Sequence, residues 1–222
     1  MLTLRHIAIH HFGGTQADPF ASTQHLSVDT INTSHRERWP DFPSQYIPRS
    51  FIGYNLIIFD DGGWAQGRAV GESTAAVKGF NDTTLSICLA GNFSRIRGGT
   101  TPVDQPTRAQ KDTLRRLLKA AIDNTMPLLG IVVVPGTVLN FAIPRIQPHR
   151  AFGAPGGTEC FGTALPDSWA RDIIIGDVRD QLGILQDLLS TYLKLRDVLT
   201  KRSLAKQAVG SRDYRECEGI IK

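Results

Sequence analysis

The sequence predicts an α/β protein, a central mixed β-sheet covered by helices, with a helical C-terminal extension. Three observations carry this expectation. Short β-branched and apolar runs alternate with helical patterns through most of the chain. The segment 106–126 is strongly amphipathic at helical spacing. From Trp169 onward apolar residues recur at three- and four-residue steps with no strand pattern between them. A chain of 222 residues holds one well-buried α/β domain plus an appendage and is short for two full domains. The expected division is 1–172 for the main domain and 173–222 for a basic helical extension.

The elements follow in order. "RHIAIHHF" (5–12) is apolar and β-rich, as a central strand requires. "LSVDTINTSHRERW" (26–39) reads as a helix with Ser27 as N-cap and Ile31 facing inward, ended by the two prolines of "DFPSQYIPRS". "FIGYNLIIFDDGGWAQGR" (51–68) reads as a hairpin, a buried strand returning through an Asp-Gly turn. "STAAVKGFND" reads as a short helical turn closed by Gly79, and "TLSICLAGNF" (84–93) as a second buried strand. In 106–126 Pro106 stands at the start and Leu114, Leu117, Leu118 and Ala121 share one face. "GIVVVPGTVL" (130–139) is expected to give a further strand. Beyond Trp169, Val178, Leu182, Leu185, Leu189, Tyr192 and Leu199 form a heptad-like stripe that Arg196 interrupts. Helices this short rely on tertiary or quaternary contacts, so a homo-oligomer through this segment is one expectation, and packing on the main domain or anchoring to a wall or membrane surface are the others.

Composition excludes several classes. No apolar run approaches the roughly 20 residues of a membrane span. The N-terminus reads as a strand from the outset and not as a signal peptide. A net charge of +4 and pI of about 9.1 favour acidic partners without choosing among them. Residues 194–215 carry seven basic side chains against two acidic ones, yet no interleaved aromatics or recognised motif accompany them, so nucleic acid is not expected as a partner. Three cysteines, Cys88, Cys160 and Cys217, cannot all pair and make no disulfide framework. Cys88, inside an apolar strand, reads as a small core residue.

"PHRAFGAPGGTECFG", Pro148 to Gly162, sets His149 and Cys160 at the ends of a Gly/Pro-rich stretch with no core to build. Two residues that far apart are by themselves better read as a surface histidine and a packed thiol than as metal ligands. A further ligand is available at the end of the first strand, where His10 and His11 alternate between its faces, so only one can address a given site. Two histidines and one cysteine with a vacant position is the catalytic rather than the closed structural zinc pattern.

Four ordered blocks, covering roughly residues 5–170, turn this into a resemblance: "IAIHHFGG", "SHRERW…IGYNLIIFDDGGWAQGR", "GFNDTTLSICLAGNF" and "PHRAFGAPGGTECFG". The chain resembles the zinc-dependent N-acetylmuramoyl-L-alanine amidases of the phage-lysozyme and peptidoglycan-recognition-protein type. The resemblance implies that His10, His149 and Cys160 bind Zn²⁺, that Tyr54 is the catalytic tyrosine, and that Thr158 stands where phage enzymes carry Lys and recognition-type amidases Thr. It implies a cleft near Arg68, which either meets a stem-peptide carboxylate or forms a plain surface ion pair; Trp39, flanking the cleft-forming blocks, either stacks on sugar or stem peptide or packs in the core. Glu72 and Glu159 stand as alternative general bases. Ala76 replaces a common family His, Pro148 the usual Gly and Phe161 the usual Pro. The implied activity is hydrolysis of the bond between N-acetylmuramic acid and L-alanine of peptidoglycan by an endolysin released by a separate membrane lesion, or by an enzyme acting on cytosolic muropeptides. The alternative is a non-catalytic peptidoglycan-binding module.

Overall fold

The computed structural model describes residues 2–15, 17–96, 99–153 and 158–220. Five strands form one sheet in the order β4-β3-β5-β2-β7: β2 (His6–His11), β3 (Leu56–Ile58), β4 (Trp64–Gln66), β5 (Thr84–Leu89) and β7 (Ile146–Pro148). Only β4 runs antiparallel, paired to β3 across the Asp-Gly turn, so the expected mixed sheet is present. A separate parallel pair joins β1 (Thr3–Leu4) to β6 (Val138–Leu139).

Alternation along the strands assigns the two faces. Leu56, Ile87 and Ile9 lie in one row across the sheet and belong to the larger core, with Leu114, Leu117, Leu118 and Ala121 of α2 (Arg108–Ile122) packed against them. The next row, Ile57, Cys88 and His10, points to the other face, where Ile31 of α1 (Val28–Arg38) completes a smaller cluster with Ile52, Ile57 and Cys88. His10 therefore shares the α1 face with Cys88, and Ile7 and Ile9 take the core face.

Both covering helices start where side chains satisfy their first amides. Ser27 accepts from Thr30 N–H, and Thr107 and Gln110 form a reciprocal capping box. Gln110, fully buried, also donates to the carbonyls of Ile58 and Ala90 at 3.3 and 2.8 Å, tying α2 to the ends of β3 and β5.

Two sequence expectations are corrected. The segment 73–82 is a run of turns without a helix, organised by Asn81, whose Oδ1 accepts the N–H groups of Ala76 and Val77 at 3.1 and 2.7 Å. The Val run of 130–139 yields only β6, because Pro135 lacks a donor and Gly136 turns the chain at φ +80°; Val133 makes one bridge to Val70.

The last helix, α3, is Trp169–Ile220. The chain divides into two compact units, 1–175 and 176–222. Ala170 and Ile174 are buried in the core of the first; Cys217 lies outside the described side chains. No helix among the described residues is long and apolar enough to cross a membrane.

Candidate metal centre

The parallel register sets the C-terminal ends of β2 and β7 side by side. Ile9 pairs with Pro148, so His10 and His149 follow on neighbouring strand ends with ring centroids 4.7 Å apart. Cys160 arrives from the segment beyond, its Sγ 3.7 Å from His10 Nδ1. One donor atom from each of the three lies within 4.8 Å of the others. Crevices beyond the carboxyl ends of parallel strands are where open α/β sheets place their sites.

His10 is 1% exposed, its Nε2 has no hydrogen-bond partner, and its Nδ1 faces the thiol. A thiol is a weak partner for a buried imidazole nitrogen, and coordination through Nδ1 would replace that contact. Two tetrahedral ligands at zinc–sulfur and zinc–nitrogen bond lengths lie about 3.6 Å apart. The His10–Cys160 separation of 3.7 Å matches that value, and His149, within 4.8 Å of both, can supply a third donor to the same cation. Burial, followed by the charges of His149 and His11, holds His10 well below the usual histidine range, and burial lowers His149. Both imidazoles are thus neutral, as ligands must be. Burial pushes the Cys160 thiol up to about 12, against the His11 carbonyl contact and Arg150, which lower it. Its thiolate needs a cation beside it.

Arg150 fixes the chain that carries the thiol. Its backbone N–H donates to the Cys160 carbonyl at 2.6 Å. Its guanidinium donates to the carbonyls of Gly162 and Leu165, both at 2.6 Å, and pairs with Asp167 at 2.7 Å. Gly162 sits at φ +91°, where a Cβ would stand 2.5 Å from the Phe93 backbone, so glycine is required there. Thr158 Oγ1 accepts the Cys160 N–H at 3.1 Å, which leaves its own hydroxyl proton free to donate.

Tyr54 lies against His10 with ring centroids 5.1 Å apart and packs beside Cys88. Burial, with the Cys88 and Cys160 thiols adding to it, raises its hydroxyl well above the usual tyrosine value. Its hydroxyl therefore stays protonated at neutral pH. His35 packs against Tyr54 and Trp39 at 5.5 and 5.1 Å. Its Nδ1 accepts the Gly53 N–H at 2.9 Å, and burial, then Arg38 and Arg68, lower its pKa to about 4. His11 is likewise committed to the fold, its Nδ1 accepting the Phe93 N–H at 3.0 Å.

These residues border a cleft of about 560 Å³ that His10, His149, Cys160, Tyr54, Thr158 and Trp39 all line. A second hollow of about 900 Å³ runs along α1 and shares Phe12, Gly14, Arg38, Trp39 and Tyr54 with the first. Ala76 lines the cleft where the resemblance leads one to expect a histidine, and Glu159 stands exposed among its lining residues.

Arg68 is not brought to the cleft. It is 1% exposed and pairs with Glu72, itself 7% exposed, at 3.1 Å. It also donates to the Phe42 carbonyl and stacks on the Phe42 ring at 3.8 Å. Glu72 accepts from Ser44 Oγ, Gln45 N–H and Ala69 N–H. The pair pins the 42–45 loop to the end of β4, which removes Glu72 as a general base. Sequence reasoning missed Arg38, Arg95 and Phe12, which line the cleft. Arg38 had a signal, its place beside Trp39 at the end of α1; the polar loop around Arg95 had none.

Residues 2–162 match the family model described as N-acetylmuramoyl-L-alanine amidase. No curated protein matches the chain significantly in sequence. Among solved structures the chain is similar to the N-acetylmuramoyl-L-alanine amidase LysC from Clostridium intestinale URNW, at 17% identity over 82% of this chain and 87% of that one, TM-score 0.49. It is also similar to an endolysin from a Thermus scotoductus bacteriophage, at 19% identity over 78% and 86%, TM-score 0.45. Drosophila peptidoglycan recognition protein SD is a third such structure, at 22% identity over 74% and 78%, TM-score 0.44.

Proposed function

The chain belongs to the N-acetylmuramoyl-L-alanine amidase family, and from that premise we propose that it is a zinc-dependent hydrolase. Its substrate is the amide between the lactyl group of N-acetylmuramic acid and L-alanine, in peptidoglycan or in soluble muropeptides. The observation that carries this reading is the convergence of His10, His149 and Cys160 within 4.8 Å at one end of the cleft.

Those three side chains would hold the ion through two neutral imidazoles and a thiolate and leave one position open. When bound, zinc lowers the pKa of water to about 7 and polarises a carbonyl as a Lewis acid. The remaining work falls to the chain. Tyr54, kept protonated by its burial, donates toward the oxygen on which charge develops. Thr158, its oxygen already anchored by the Cys160 N–H, supplies a second donor. Trp39, which lines both hollows, offers a face for sugar or stem peptide. Ala76 presents only a methyl group, so no side-chain hydrogen bond reaches the substrate from that position.

We place this activity in an endolysin acting on the bacterial cell wall. Cys160 sets it apart from a module that only binds, because it supplies the single anionic ligand. Zinc analysis together with release of soluble peptide from purified cell wall tests the reading. Wild type is expected to carry zinc and release peptide, and Cys160→Ala to lose both. Wall binding without release by the zinc-loaded wild type would establish the binding module instead.

A further inference from the structure

Helix α3 leaves an extensive apolar surface uncovered. Every large apolar side chain from Leu182 to Leu199 is between 42% and 61% exposed. At roughly 100° per residue, Leu182, Leu185, Leu189, Tyr192 and Leu199 form one row. Ile184, Leu188, Leu195 and Val198 form a second about a quarter-turn round the helix. Together with Leu193 they cover about 220° of the circumference, against the ~100° stripe of a helix that packs on one core. Contiguous exposed apolar surface beyond a few hundred Å² marks a contact site, and ten such side chains approach the ~800 Å² per partner of a stable interface.

The remaining polar strip decides what covers these rows. Asp187, Lys194, Asp197 and Lys201 alternate in sign, and Lys201 Nζ pairs with Asp197 at 2.9 Å. A helix that lies on an anionic lipid surface carries an excess of Lys and Arg on its polar face; this strip is balanced. Two apolar rows and a self-neutralising strip suit other copies of the same helix. We infer that residues 182–199 are a self-association surface on which α3 pairs antiparallel with a second copy of this chain.

Arg196 sets the sense of pairing. It interrupts the first row, so a parallel in-register pair would press two guanidinium groups together in the seam, an uncompensated desolvation. An antiparallel pair crossing between Ser190 and Thr191 sets Leu182 across from Leu199 and Leu189 across from Tyr192. Arg196 then faces Leu185, where its aliphatic stem covers the leucine while the charged head reaches water. Such a pair leaves the second row open, and that row joins two pairs into a four-helix bundle. The inference stands independently of the amidase reading; if both hold, linked catalytic units engage a polymeric wall with avidity.

Sedimentation equilibrium of the full chain, 24.4 kDa per copy, reads the outcome. The wild type is expected to pass from dimer to tetramer with rising concentration. Leu189→Glu, which puts a carboxylate into the apolar seam, is expected to be monomeric. Leu185→Glu is expected to remain associated, because its carboxylate meets Arg196 of the second copy. Helical circular dichroism checks that each variant is folded, and Leu189→Ser replaces the charged variant if that signal is lost. A wild type that is monomeric throughout overturns the inference, as does a monomer that floats with phosphatidylglycerol vesicles. Loss of association in both glutamate variants overturns the antiparallel sense.

Discussion

Arg68→Ala is expected to damage the fold and spare the chemistry. The guanidinium is 1% exposed and its carboxylate partner 7% exposed, so the substitution strands a buried charge. Removing one partner of a buried pair costs about 3–5 kcal/mol. Glu72 keeps three donors, from Ser44 Oγ at 2.7 Å, Gln45 N–H at 2.7 Å and Ala69 N–H at 3.0 Å, which places the loss near the lower end, about 3 kcal/mol. For a unit of this size each kcal/mol moves the thermal midpoint by about 2–4 °C, so a drop of about 6–12 °C is expected. Hydrolysis of a soluble muropeptide, measured well below the midpoint, is expected to stay within about twofold of wild type, since Arg68 does not line the cleft. The double variant Arg68→Met, Glu72→Leu is expected to recover part of the loss, because no charge remains buried. A midpoint within about 2 °C of wild type, combined with a raised KM, would refute the reasoning and return Arg68 to the substrate.

Two further expectations concern the cleft. Tyr54→Phe removes one hydroxyl donor and is expected to lower kcat by about 10²–10³ with zinc content intact; full turnover by the zinc-loaded variant would dismiss Tyr54 from catalysis. His35 has a pKa lowered to about 4 in the folded protein against about 6.5 unfolded, so between those values the unfolded chain binds more protons. Its contribution is complete above about pH 6.5 and is lost as pH falls toward 4, by at most about 3 kcal/mol. In urea melts His35→Asn, whose amide oxygen can still accept the Gly53 N–H, is expected to lack this component; identical pH dependence of the two proteins would exclude it.

Much of the architecture was legible because local chemistry agreed with the fold. The Ser27 and Thr107 caps, the apolar face of α2 and the period of β2 each act within a few residues. The segment 73–82 was not, because its geometry comes from the single side chain of Asn81 taking two amides, a pattern that spacing mimics as a helical turn. The Val-rich run after Gly130 carried strand propensity that Pro135 and Gly136 overrode. At the site, the candidate metal ligands were read from motif order, but which of His10 and His11 points inward depends on register with β5 and β7, which periodicity alone leaves open. Arg68 was misplaced for a related reason. A sequence displays an arginine's charge but not its burial, and nothing in its pattern marks Glu72, four positions on, as the buried partner that neutralises it.

The clip made by Arg150 has a consequence for how this centre can fail. The residue following one histidine grips the strand of chain that delivers the sulfur, through the carbonyls of Cys160, Gly162 and Leu165. The placement of the sulfur thus hangs on one side chain next to His149: exchanging Arg150 would free the carbonyls of Gly162 and Leu165 together and let the thiol drift, while His10 keeps its place on β2.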